Sequence, residues 1–410
     1  MTEWRSYKLS DIADLSNGIN FDKSAYTSGV KLIGVADFKD RIYPDYETLQ
    51  EVDSKVVREG DFLEKGDIVF VRSNGNKELV GRCLMINKDI PVTFSGFCIR
   101  LRLRDKHAFN PVFFNYLFKT QQFRKNMTGT AVGANIQNLS QSRLGNCVVE
   151  VPDGSVQRRI AEVLSRYDAL IENYQRQIKL LEEAAQRLYK EWFVDLRFPG
   201  HQSTPIINNL PQSWQKKKLA EITCKFATGL NPRKNFVLGQ GDNYYVTIKN
   251  MADNDVIFDD KCDKVDNEAL EKINKRSDLQ QGDLLFSGIG TIGRVYLIDE
   301  PVVNWNISES VFTMRPVKEI SPVFLYLMLL NKDIQDYCQS NAHGCAQKGI
   351  RMADLKAYET IIPDKETLES FVTIASKFIK RSKSLRKQIR NLSEARDRLL
   401  PKLMSAEIEV

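Results

Sequence analysis

No two of the seven cysteines stand in a CxxC arrangement, and an odd number scattered over 410 residues does not make a disulfide framework. They read as buried free thiols. Their one close grouping, Cys338 and Cys345 with His343, lacks the fourth ligand of a tetrahedral zinc site, so no metal is expected. Residues 1–15 have no basic start followed by an apolar core, and the longest apolar run, residues 323–330, is too short to cross a bilayer. The expected location is the cytoplasm, with no membrane contact. GxSxG, a P-loop and the Asn-Pro-Pro-Tyr signature for methylating an exocyclic amine are also absent. Catalysis by this chain is therefore not expected.

What the sequence does contain begins with two matched heptad seams. In residues 156–193, Ile160, Leu164, Tyr167, Ile171, Tyr174, Ile178, Leu181, Ala185, Leu188 and Trp192 alternate by four and three. The same phase returns 211 residues later at Phe371, Ala375, Phe378, Ser382, Leu385, Ile389, Leu392, Arg396, Leu399 and Leu403, broken only by Ser382 and Arg396. Each seam needs a partner, and a domain-sized segment lies between them. Antiparallel pairing in cis is the simplest arrangement, with Ile160 near the Leu399 and Leu403 end. Two ordinary surface helices on separate cores are the alternative, but these patterns hold for about ten turns against the usual three.

Ahead of each seam the chain repeats itself. Trp4, Lys8, Leu9 and Ile12 return as Trp214, Lys218, Leu219 and Ile222, and Gly66-Asp67 returns as Gly282-Asp283. Gly81-Arg82 returns as Gly293-Arg294, Pro111-Val-Phe as Pro322-Val-Phe, and Pro152 as Pro363. Short β-branched and aromatic runs interleave with short helices, so each half is expected to be a mixed α/β (α+β) module followed by one long helix. The expected boundaries are 1–154 and 198–364 for the modules, 155–197 and 365–404 for the helices, and 405–410 for a tail. The formal charge is +6, of which residues 365–410 carry +5. Lys377, Lys380, Arg381, Lys383, Arg386, Lys387 and Arg390 could track phosphates, although a charged helix face is ordinarily just solvated.

Gly288-Ile-Gly290-Thr-Ile-Gly293 spells GxGxxG, yet the following residues continue as a strand where a dinucleotide site needs a helix N-terminus. It reads as a hairpin loop. Asp45, Asp53 and Lys55 resemble a nuclease's metal-holding pattern at short spacing, and solvated acidic residues explain them better. The glycine-rich loops carry side chains suited to base edges and phosphates. The first half offers Arg72, Asn74, Lys77 and Arg82, then Thr130, Asn135 and Gln137. The second offers Ser287, Thr291 and Arg294, then Asn304 and Asn306, then His343, Gln347, Lys348 and Arg351. Arg and Lys read guanine and Asn and Gln read adenine. The competing account is that Gly, Asn and Ser simply make turns.

Trp-x3-Lys-Leu opening each module, Glu191-Trp-Phe-Val-Asp-Leu after the first helix, Leu210-Pro-x2-Trp214, and Arg398-Leu-Leu-Pro-Lys-Leu-Met-Ser405 resemble the specificity subunit of type I restriction-modification systems. The junction Val149-Glu-Val-Pro152-x4-Gln157-Arg-Arg-Ile-Ala161 also fits, whereas its counterpart after Pro363 lacks the glutamine. The resemblance covers nearly the whole chain. It implies two target-recognition domains, related by an approximate twofold and joined by an antiparallel coiled coil, reading the halves of an asymmetric, interrupted site in double-stranded DNA. It implies no cofactor on this chain. Two methyltransferase subunits would bring S-adenosylmethionine, and restriction-translocase subunits would bring ATP and Mg. Two rivals stay open from sequence: a stand-alone nuclease or methyltransferase, and a coiled-coil scaffold for other proteins.

Overall fold

A computed structural model describes residues 3–38, 41–74, 76, 79–128, 138–344 and 347–410. Lys77, Thr130, Asn135, Gln137 and Cys345 lie outside the described residues. The chain divides into two compact units, Met1–Gln175 with Lys387–Val410, and Arg176–Arg386.

In the first unit a four-stranded antiparallel sheet has the order Ala13–Asn17, Cys98–Leu103, Ile68–Val71, Cys83–Met85. Its central strand Ile68–Val71 is fully buried, because the sheet is covered on both faces. Ile68 and Phe70 enter one core with Phe113, Phe114 and Phe118, while Val69 and Val71 enter another with Phe38, Leu84 and Phe94. A second sheet pairs Tyr26–Ile33 antiparallel to Gln50–Val52 and parallel to Val92–Phe94. The outermost strands Trp4–Lys8 and Val148–Pro152 pair antiparallel, which returns the end of the module to its beginning.

The second unit repeats this plan and adds two short pairs, Ile206–Ile207 with Leu210–Pro211 and Met251–Ala252 with Asp255–Val256. Its four-stranded sheet runs Thr223–Thr228, Val311–Pro316, Leu284–Ser287, Val295–Leu297. Asn243–Val246 pairs antiparallel to Asp263–Val265 and parallel to Trp305–Ile307, and Gln215–Lys218 closes on Glu359–Ile362. The main local difference is a helix, Asn267–Ser277, where the first unit has two 3₁₀ turns, Ser54–Val56 and Glu59–Asp61.

The repeated Gly-Asp pair is a structural device. Gly66 and Gly282 turn the chain at φ +92 and +95, a region that disfavours side chains. The aspartate after each is buried and accepts a two-pronged contact from an arginine of the neighbouring strand. Arg102 Nε and Nη2 reach Asp67 at 2.8 and 2.7 Å, and Arg315 Nε and Nη2 reach Asp283 at 2.7 and 2.9 Å. Each carboxylate also accepts a backbone N–H three residues back, from Glu64 at 2.8 Å and Gln280 at 2.9 Å. Short helices Pro111–Lys119 and Pro322–Leu330 then start alike, with proline at the first position and the side chain of Asn110 or Ser321 capping the free N–H groups.

Both long helices form, as Gly154–Tyr189 with a π-turn at Lys190–Val194, and as Lys365–Met404. The π-turn inserts the extra residue that lets adjacent Trp192 and Phe193 both be buried. No seam residue is exposed. Within the first unit Ile160 and Leu164 share a core with Leu403, and Asp168 pairs with Arg396. Within the second, Trp192 packs tilted and Phe193 edge-on against Phe371 at centroid distances of 5.8 and 4.7 Å, and Glu182 accepts from Arg386 at 2.6 Å and Ser382 at 3.4 Å. In each unit, advancing along one helix means retreating along the other, so the pairing is antiparallel. The two residues that break the seam in sequence, Ser382 and Arg396, are satisfied by acidic residues of the opposite helix.

The two proline-to-helix junctions differ for a visible reason. Gln157 is buried and holds three backbone groups, accepting from Asn110 N at 2.8 Å and donating to Ala108 O at 3.1 Å and Pro152 O at 2.8 Å. At the corresponding place after Pro363 stands Leu368, buried in the apolar core of the second unit.

Candidate DNA-reading loops

In the first module the chain leaves Ile68–Val71 into the hairpin that carries Arg72, Asn74 and Arg82. Arg72 is fixed by its backbone, N donating to Phe97 O at 2.8 Å and O accepting from Leu139 N at 2.8 Å, and its Nη1 lies 3.5 Å from Gly96 O. Ser73 bridges to Asn138, so the hairpin is tied to the segment that enters the helix Gln141–Gly145. Asn74 accepts from Asn76 N at 2.7 Å, which tightens the turn, and Arg82 is half-buried at the far side of the hairpin.

The second module ties its loops together in the same way. Ile289 bridges to Gly349, Ile350 N donates to Gly288 O at 2.9 Å, and Gly290 N donates to Lys348 O at 2.7 Å. This brings exposed Thr291, His343, Gln347, Lys348 and Arg351 around one loop. Asp354 braces two of them: Arg351 Nε and Nη2 reach it at 2.7 and 3.1 Å, and His343 Nε2 lies 3.4 Å away. The hydrogen bonds from Arg351 hold the Asp354 carboxyl below the usual carboxylate range. Asn304 does not join this group; it is exposed at the start of Trp305–Ile307, with its carbonyl accepting from Tyr244 N at 2.9 Å.

Two expectations need correction, and a third residue, Arg294, is partly engaged within the module. Ser287 is fully buried, its hydroxyl donating to Thr291 O at 2.6 Å and accepting from Arg294 N at 2.8 Å, so it closes the hairpin and offers nothing to a base. Asn306 is also buried, bonded to Ser277 Oγ at 2.7 Å and Asn274 Oδ1 at 2.6 Å, and holds the helix Asn267–Ser277 onto its sheet. Arg294 turns its Nη1 onto the carbonyls of Ile248, at 2.8 Å, and Met251. It acts as a brace between loops. Sequence reading missed these roles because a polar residue in a glycine-rich loop looks the same whether it faces in or out.

Sequence reading also passed over two residues. Phe97 stands just before the strand Cys98–Leu103 and is 62% exposed on the turn that anchors Arg72. An apolar ring there suits the methyl group of thymine. Asp354 was overlooked because its three-residue spacing from Arg351 has meaning only once the helix Met352–Lys356 is in place.

The other motifs resolve as local structure. Gly290 and Gly293 sit at φ +77 and +97 in a hairpin that continues into Val295–Leu297, as its sequence context predicts. The left-handed backbone of Gly293 accounts for that glycine, since a side chain there would be strained whatever the space around it. Asp45 pairs with Arg41 at 2.9 Å, while Asp53 caps its own turn through Lys55 N at 2.9 Å. Among the described residues no group of three His, Cys, Asp or Glu is placed to hold a metal ion. Burial pushes the Cys338 thiol up to about 12. Lys383 and Arg386 of the basic run are engaged by Asp299, at 2.7 Å, and by Glu182. Among the described residues no helix is long and apolar enough to cross a membrane.

The family profile for the type I restriction modification DNA specificity domain matches twice, over residues 1–183 and 211–394. The chain belongs to this family. Both matches start at a module and run into the long helix behind it, so the family's unit is the unit of the internal repeat. The chain is 26% identical over 304 residues to the MjaIX specificity subunit of Methanocaldococcus jannaschii, covering 72% of this chain and 68% of that one. It is 22% identical over 409 residues to the EcoKI specificity subunit of Escherichia coli K12, covering 95% and 84%. It is also 22% identical over 474 residues to the HindI specificity subunit of Haemophilus influenzae, both chains being covered in full. Among solved structures, the type I restriction-modification S subunit from M. genitalium shares the fold, with a TM-score of 0.59 at 17% identity, over 98% of this chain and 96% of that one. The chain is thus a DNA-specificity subunit of the type I restriction-modification class, which does not favour the nuclease, methyltransferase and scaffold readings.

Proposed function

We propose that residues 1–154 and 198–364 are two target-recognition domains, each reading one half of an asymmetric, interrupted site in double-stranded DNA. The helices of residues 155–197 and 365–404 set the gap between the halves, and residues 405–410 form a tail. One observation carries this reading: two frames of identical strand order present unlike loops, Arg72-Ser-Asn in one and Ser287-Gly-Ile-Gly in the other. Equal frames with unequal loops suit two half-sites of unequal sequence. The reading side chains are Arg72, Asn74, Phe97 and Arg82 in the first domain, and Thr291, His343, Gln347, Lys348 and Arg351 in the second. Asn304 could touch only a different part of the duplex. Lys77, Thr130, Asn135 and Gln137 belong to the same set by sequence.

The partners that complete this reading are two methyltransferase subunits supplying S-adenosylmethionine and restriction-translocase subunits supplying ATP and Mg, in the cytoplasm. The test is reconstitution with a methyltransferase subunit, followed by mapping of the methylated adenines. A bipartite, non-palindromic motif supports the reading. A palindromic or contiguous motif contradicts it.

A further inference from the structure

The first module meets the helix pair through a polar contact set inside an apolar core. Tyr116, on Pro111–Lys119, is 1% exposed, and its hydroxyl donates to Asp168 Oδ2 on the first long helix. The other oxygen of Asp168 accepts from Arg396 Nη1 on the second long helix at 2.5 Å. One carboxylate, with its side chain 10% exposed, therefore joins three elements of the first unit. Arg396 occupies a seam position, where leucine or isoleucine would pack without cost. Its guanidinium also reaches Asp397. Burial, then the charge of Asp168, raises the Tyr116 phenol far above its ordinary range, so it remains a donor.

A buried ion pair adds little net stability compared with apolar residues of the same size, but it penalises every arrangement that breaks it. Its value here is orientation. The second unit has a more open contact, in which Lys383 reaches Asp299, whose side chain is 42% exposed, at 2.7 Å, with its ammonium over the ring of Tyr296 at 5.0 Å.

We propose that Tyr116, Asp168 and Arg396 form a strut that fixes the angle at which the first module leaves the helix pair, and that this angle selects the length of the unspecified gap in the DNA target. The proposal rests on the two-domain reading above. A module of about 150 residues has a radius of gyration of roughly 15 Å, so its reading loops stand about 20 Å from the strut. At that distance a swing of about 10° moves them about 3.5 Å, the rise of one base pair. A modest loosening is therefore enough to admit gaps one base pair longer or shorter. These three are positioning residues, and none of them need touch DNA.

The experiment uses the full chain with its methyltransferase partner and a DNA library that keeps both half-sites while varying the gap. Wild type should methylate a single gap length. Asp168→Asn, Arg396→Met and Tyr116→Phe should each raise methylation at the neighbouring gaps, relative to the main one, by tenfold or more, with base preferences in both half-sites unchanged. Arg396→Lys, which keeps a cation opposite Asp168, should stay near wild type. If Asp168→Asn does not fold, Tyr116→Phe decides, since it removes one hydroxyl and no volume. Retention of the single gap by folded Tyr116→Phe and Arg396→Met overturns the strut and leaves the two-domain reading standing. Absence of any gap dependence in wild type overturns that reading and the strut with it.

Discussion

Asp283→Ala puts the repeated Gly-Asp device to a quantitative test. The substitution removes three contacts at once, from Arg315 Nε at 2.7 Å, Arg315 Nη2 at 2.9 Å and Gln280 N at 2.9 Å. Breaking a buried ion pair costs about 3–5 kcal/mol, and leaving a buried N–H unpaired about 1–3 kcal/mol. Arg315 is not stranded, however, because its side chain is 24% exposed and Nη2 also donates to Asp278 O at 2.7 Å. The low end applies, about 3 kcal/mol in all. In urea, with a slope of about 2–3 kcal/mol per molar, the midpoint should fall by roughly 1 M or more. Tryptophan fluorescence is a suitable probe, since Trp192, Trp214 and Trp305 lie in the second unit and only Trp4 in the first. Adding Arg315→Met should recover most of the loss, because the uncompensated charge is then gone. A loss below about 1 kcal/mol, or a double variant that is merely the sum of its singles, would refute the reasoning.

Lengthening both long helices by one heptad adds about 10 Å, or about three base pairs, and keeps the seam in phase; methylation mapping should show a longer gap between unchanged half-sites. Arg72→Ala and Arg351→Ala should each weaken recognition of one half-site only, by about 1–3 kcal/mol, whereas Arg294→Ala should lower the melting temperature instead, because that side chain braces two carbonyls. Acid should loosen the starts of both long helices. Ser155 Oγ and the N–H groups of Ser155 and Val156 hold Asp153 below the usual carboxylate range. Partial burial would raise Asp364, but Thr367 and the Trp214 indole outweigh it and hold it low as well. Carboxylates lowered in the folded state stabilise it above their unfolded value of about 4 and cease to do so as pH falls through the folded one. Hydrogen exchange at residues 155–157 and 366–368 should therefore quicken below about pH 4, and Asp153→Asn with Asp364→Asn should flatten that response.

The seams and the repeat were readable because they are periodic, and periodicity survives without coordinates. Ile160 and Leu403, far apart in sequence, share one core as the heptad phase requires. The seam breakers were readable as breaks but not as contacts, since the acidic partners of Ser382 and Arg396 lie more than 190 residues away. The loops were legible as hairpins, through Gly66, Gly282 and the strand after Gly293. Which loop side chains face out was not legible. Ser287 and Asn306 belong to residue types that read DNA elsewhere, yet here each satisfies a buried neighbour, and only the fold decides between those uses.

The central claim is that one chain reads two different sequences at a fixed separation. Single-molecule sequencing of methylated adenines, in DNA exposed to this chain with its methyltransferase partner, addresses it directly. The account predicts one motif with two unlike halves and a constant unspecified gap, and exchange of residues 1–154 for those of a relative should change one half alone. A motif that is symmetric, or uninterrupted, or altered in both halves by that exchange, would contradict it.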